Sequence, residues 1–124
     1  MSGNFSRAKG ARSERELFGM LSDELGFVVQ RNISQTRGGG ADCIEIPGWA
    51  VECKRCETLN INAWWAQAAE QSGDKTPILF YRQSRQPWKA ILNLSDLVPL
   101  ELEGNNLAQI SFETACYIIR ESLA

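Results

Sequence analysis

The chain has no histidine, and its single Cys53-x-x-Cys56 pair is not followed by a second paired motif, so little is present from which to build a zinc site. Four cysteines, Cys43, Cys53, Cys56 and Cys116, stand beside ample core-forming residues. The fold therefore does not depend on disulfides, and reduced thiols are expected. No apolar run approaches the roughly 20 residues that span a bilayer. The polar start Met1-Ser2-Gly3-Asn4 lacks signal-peptide character, so the expectation is a soluble, cytoplasmic protein with no membrane partner. Internal repeats are absent, as is low complexity beyond Gly38-Gly39-Gly40. At 124 residues there is room for one packed domain but not for a second, separate recognition domain. Specificity must then come from that one domain or from a second subunit.

What is present reads as an alternation of helices and strands. The spacing of Leu17, Phe18, Leu21 and Leu25 predicts a helix over 11–25 ended by Gly26, with residues 1–10 flexible before it. Residues 27–31, 42–46 and 49–54 read as strands, the last two separated by the turn signal Pro47-Gly48. A second helix is predicted over 61–72, capped by Asn60 and facing the core with Ile61, Trp64, Trp65, Ala68 and Ala69. Residues 76–81 and 88–94 read as strands around a Gln83–Gln86 turn, and 111–122 as a last helix packed through Phe112, Ala115, Cys116 and Ile119. This order indicates an α/β domain on one central mixed β-sheet flanked by helices, with residues 95–124 extending the core.

The chemistry is concentrated in Asp42, then nine residues, then Glu52-Cys53-Lys54. Alternation along a strand puts Glu52 and Lys54 on one face and Val51 and Cys53 on the other. Two carboxylates can hold a hard divalent ion through oxygen ligands and leave positions for water and phosphate. A Glu-x-Lys pair is also a common strand salt bridge, so it needs support. Glu14 supplies some: at 100 degrees per residue it falls in the middle of the stripe made by Leu17, Phe18, Leu21 and Leu25, whereas Glu16 falls nearly opposite. A carboxylate on a buried face needs a partner, which a metal would provide. The alternative is a helix-start glutamate favoured by the macrodipole.

Lys9-Gly10-Ala11-Arg12-Ser13-Glu14-Arg15-Glu16-Leu17, then Gly26-Phe27, Ala41-Asp42 and Glu52-Cys53-Lys54, resembles the Holliday-junction-resolvase branch of the PD-(D/E)xK nucleases. The likeness runs over about 9–94 in element order, and Ala41 replaces the proline that often precedes the aspartate. It implies a restriction-endonuclease-like core over a single domain, 1–124, with Glu14, Asp42, Glu52 and Lys54 as the catalytic set. It also implies a Mg²⁺ ion, for which Mn²⁺ could substitute, held by Asp42, Glu52, Glu14 and the Cys53 backbone carbonyl. A further polar residue on the helix after the lysine strand is expected, Gln67 ahead of Gln71. The substrate implied is branched or junction DNA, cut by a homodimer with two sites on two strands. A restriction-like or nicking nuclease shares this core, and a catalytically silent DNA-binding protein would keep the fold without the activity.

The net charge of −2 argues against a nucleic-acid partner until its distribution is considered. Residues 1–89 carry 12 Lys or Arg against 10 Asp or Glu, and 90–124 carry one against five. Three of the acids in the first part belong to the expected metal site. Lys9, Arg12, Arg15, Arg31, Arg37 and Arg55 are the expected DNA contacts, with Lys89 a further phosphate candidate. Strand register sets a condition on the whole reading. A two-residue Pro47-Gly48 loop would put Ile46 opposite Trp49 and Asp42 opposite Cys53, away from Glu52. The nuclease reading therefore expects a three-residue connection or a bulge between Asp42 and Glu52.

Overall fold

The computed structural model describes residues 3–30 and 45–124, with side chains from Arg12 onward. Helix α1, Gly3–Leu25, begins well before the expected start at Ala11. Residues 3–10 include Gly3 and Gly10 and carry no apolar stripe, so neither propensity nor periodicity reveals this part of the helix. Gly26 closes the helix at φ +83°, where a side chain would be strained, and its N–H bonds the Ser22 carbonyl.

Strand β1 (Glu45–Ile46) turns through Pro47-Gly48 into β2 (Trp49–Arg55). Helix α2 (Ile61–Gln71) leads to β3 (Thr76–Arg82), which β4 (Lys89–Asn93) follows. A 3₁₀ turn (Leu94–Asp96), β5 (Leu107–Ser111) and α3 (Phe112–Leu123) complete the described chain. The sheet runs in the order β1-β2-β3-β4-β5. Among the described strands only β2 and β3 are parallel, joined by α2 as the crossover that a parallel pair requires. The expected central mixed sheet flanked by helices is therefore present.

One face of the sheet carries the main core. Leu17, Leu21 and Leu25 of α1 and Phe112, Ala115, Cys116 and Ile119 of α3 close over Val51, Ile78, Phe80, Ala90 and Leu92. On the other face, Trp65 of α2 packs on Leu79, Tyr81 and Ile91, with Ile61, Trp64 and Leu107 around them. Ala69, expected to face this core, is exposed; Trp65 and Ala68 define the buried line, and Ala69 lies past its edge. Asn60 occupies the cap position of α2 without a side-chain cap bond, whereas Ser111 caps α3 by accepting from the Thr114 N–H.

Two further expectations change. Residues 27–30 form no assigned strand, although the Gln30 carbonyl accepts from the Glu45 N–H and Val29 enters the main core. Strand β5 falls in a stretch whose alternation is too weak to read: Leu107, Ala108 and Ile110 are all half-buried.

Candidate active site

Strand β2 places Glu52, Cys53 and Lys54 consecutively, all half-buried. Register assigns their faces. Glu52 and Lys54 pair with Leu79 and Tyr81 of β3 and share the α2 side, while Cys53 pairs with Phe80 and packs on the main core under α1. Glu14, half-buried on α1, approaches β2 from the Cys53 side. Burial, and then the charges of Glu14 and Glu52, push the Cys53 thiol up to about 12. The charges of Glu14 and Glu52 thus both act on the Cys53 thiol, with Glu52 itself on the α2 face of β2. The centre of the α1 stripe is Ser13, Leu17 and Leu21; Glu14 sits at its margin rather than in its middle, and the buried Ser13 four residues before Leu17 escaped the sequence reading.

The Pro47-Gly48 connection is a two-residue loop, with Ile46 opposite Trp49 and Glu45 opposite Ala50. This corrects the expectation of a three-residue connection. Pro47 sets the first turn residue, and Gly48 at φ +81° supplies the left-handed second one, so no third residue is needed. The Gly48 carbonyl also accepts from the Thr76 N–H, which fixes the turn against the start of β3. Extended without interruption, this register pairs position 42 with Cys53, the face away from Glu52. A bulge that would re-aim it would fall at 42–44. Asp42, Arg31 and Arg37 lie outside the described residues, as does the side chain of Lys9.

Among the described residues no three acidic or thiol side chains converge on one point. The acids that α1 and β2 contribute here, Glu14 and Glu52, offer carboxylate oxygens, and there is no histidine. That chemistry fits a hard cation such as Mg²⁺ better than zinc. The backbone of Cys53, whose carbonyl was an expected ligand, lies between Glu52 and Lys54. Gln67 and Gln71 are both exposed on α2, and Gln67, one turn after Trp64, lies nearer the helix start.

The basic residues divide. Arg12 and Arg15 are exposed on α1, open to a partner. Arg55 is held inside the protein's own network, donating to Glu57 (2.8 Å) and to the Ser84 hydroxyl (3.0 Å). Glu57 also accepts from the Ser84 N–H and hydroxyl, and these bonds, the Ser84 side chain first, lower its carboxyl to about 2. Glu16 accepts from the buried Trp88 indole N–H (2.7 Å) and pairs with Arg82. Nothing in the periodicity of α1 signals that Glu16, on the side away from the stripe, holds the start of β4.

A family described as "Phage putative PDDEXK endonuclease" matches residues 5–121. No curated protein and no solved structure matches the chain. The match runs from the first helix, through the Glu52-Cys53-Lys54 strand, to the end of α3, nearly the whole chain. The chain therefore belongs to the phage PDDEXK endonuclease family.

Proposed function

We propose that this endonuclease is a Mg²⁺-dependent enzyme that hydrolyses phosphodiester bonds in DNA, with branched or four-way-junction DNA as its preferred substrate. The observation that carries the reading is the Glu52/Lys54 pair on one face of β2, inside a chain matched from 5 to 121. Glu52 and Asp42, with Glu14 and the Cys53 carbonyl, would hold the ion. When bound, it neutralises charge on the phosphate and lowers the pKa of the attacking water. Lys54 places a positive charge beside the phosphate, where it stabilises the charge that develops during in-line attack and orients the water. The half-burial of β2 at Glu52 and Lys54 excludes part of the bulk water, which strengthens both effects. Gln67, on the helix above the strand, is the residue proposed to meet the substrate backbone. Arg12 and Arg15, with Lys9, Arg31 and Arg37, would hold flanking phosphates. Arg55 could join them only by leaving Glu57 and Ser84.

A two-fold dimer would set two such sites on two strands, as junction cleavage demands. The test is incubation with Mg²⁺ and labelled four-way junction, flap, nicked and linear DNA, beside Lys54→Ala. Wild type should cut the branched substrates fastest and the variant should cut none. Equal cutting by both would remove Lys54 from the chemistry. Binding without cutting would leave a DNA-binding protein on a nuclease fold, and equal rates on linear and branched DNA would make it a restriction-like or nicking enzyme.

A further inference from the structure

The pairing of β2, β3 and β4 lines up one row across the sheet on the α2 side: Lys54 beside Tyr81, and Tyr81 beside Lys89. Two lysines thus flank an aromatic position at one strand spacing each, about 4.8 Å. Tyr81 is itself buried, its hydroxyl donating to Gln109, and Trp64 of α2 lies over it with ring centroids 6.3 Å apart. The ordinary role for Trp64 would be core packing, and its inner edge has that role. The other three tryptophans are sealed, with Trp49 5%, Trp65 3% and Trp88 3% exposed, while Trp64 alone stays half-open. Lys89, half-buried, lines a cavity of about 260 Å³ with Trp88, Gln109, Ile110, Ser111 and Glu113, so its surroundings are concave and of mixed polarity, with one acid among them.

We infer that this row is a track for an unpaired stretch of DNA. One phosphate lies at Lys54, a neighbouring unpaired base stacks on the open face of Trp64, and a further phosphate lies at Lys89. Aromatic faces hold single-stranded bases without regard to sequence, and lysines on either side hold the backbone. A continuous duplex cannot offer a base to Trp64 without unstacking it, whereas a branch point or a frayed end does so at little cost. The inference rests on the proposed nuclease reading, because it takes Lys54 as the place of the scissile phosphate, and it names what selects the substrate there.

The test is binding in metal-free buffer, where no cleavage intervenes. A fluorescein-labelled ten-residue oligothymidylate and a hairpin duplex of equal charge are titrated with wild type, Trp64→Leu, Trp64→Phe and Lys89→Gln, followed by anisotropy. Leucine keeps apolar volume over Tyr81 but removes the π face, and thermal melts check that each variant folds. Wild type should prefer the single strand, and that strand should quench its tryptophan emission, because the only half-open indole is at the contact. Trp64→Leu should weaken single-strand binding about tenfold and duplex binding far less. Trp64→Phe should recover most of the loss, and Lys89→Gln should lower the salt slope by about one unit. Unchanged single-strand affinity in Trp64→Leu, or equal losses for strand and duplex, overturns the inference. Cleavage by wild type but not Lys54→Ala, together with unchanged binding by Trp64→Leu, would remove the track and leave the nuclease standing. Quenching and stacking without any Lys54-dependent cleavage would do the reverse.

Discussion

Among the described residues, one face of the sheet shares a cluster of sixteen buried apolar residues with α1 and α3, and the other shares a cluster of four with α2. The same strands serve both. Residues that alternate along β2 and β3 contribute Val51, Ile78 and Phe80 to the first face and Glu52, Lys54, Leu79 and Tyr81 to the second. Stability is concentrated where two helices seal the sheet, and charged side chains are admitted where one helix leaves room. A thin cover suits the phosphate-contacting role proposed for Lys54, since complete burial of Lys54 or Glu52 without a partner would cost several kcal/mol.

The contrast breaks most visibly at neighbouring positions of β3. Phe80 and Leu79 are both fully buried, on opposite faces. Phe80→Ala should lower the unfolding free energy by about 3–5 kcal/mol. Leu79→Ala should cost nearer about 2 kcal/mol, because a single helix can settle onto the space. Urea denaturation measures both, and equal losses would show that the faces are equally tight. Lys54→Ala provides the complementary result. Cleavage should fall on the order of 10²–10³-fold, while the melting temperature moves little, because a half-buried strand lysine adds little to the core.

Much of this arrangement was legible in the residues. Leu17, Leu21 and Leu25 repeat at helical spacing and are buried, and Phe112, Ala115, Cys116 and Ile119 mark α3 in the same way. β2 and β3 are legible because their apolar runs are short and bounded by Pro47-Gly48 and Gly73-Asp74. The missing parts have physical reasons. The start of α1 carries no stripe, and β5 is an edge strand with mixed burial, so neither leaves a period to read. For the site, alternation sufficed to put Glu52 and Lys54 together. It could not show that Cys53 turns toward α1 with Glu14 nearby, nor that the turn closes in two residues, because both depend on pairing between distant elements. The Trp64 and Lys89 row depends on three strands in register and is likewise absent from any local pattern.

Smaller effects test the rim where the two faces meet. Glu16→Ala leaves the buried Trp88 indole N–H without its acceptor, and should cost about 1–3 kcal/mol in urea denaturation. The exposed Arg82 pair contributes little of that, so raising the salt concentration should leave most of the loss in place. The smallest effect lies at Glu57. Its carboxyl is lowered from 4.5 to about 2, so the bonds joining the end of β2 to the β3–β4 turn should be intact above about pH 4.5 and lost as pH falls toward 2. A carboxyl titration followed by NMR, with the Ser84 amide as its local reporter, should find that low value. A midpoint near 4.5 would show that the Arg55–Glu57–Ser84 network does not hold in solution.

The sealed face also imposes an order of assembly. Arg120 on α3 reaches the Glu24 carbonyl at the end of α1, 96 residues earlier, and the Trp49 indole donates to Ser122. The segment from Trp49 to Asn93, by contrast, pairs its strands through nearby neighbours and can form while the rest of the chain is still being made. During synthesis α1 emerges before α3, and waits for it before its leucines are fully enclosed. A nascent chain therefore exposes that leucine stripe until α3 has left the ribosome, the interval in which it has most need of a chaperone.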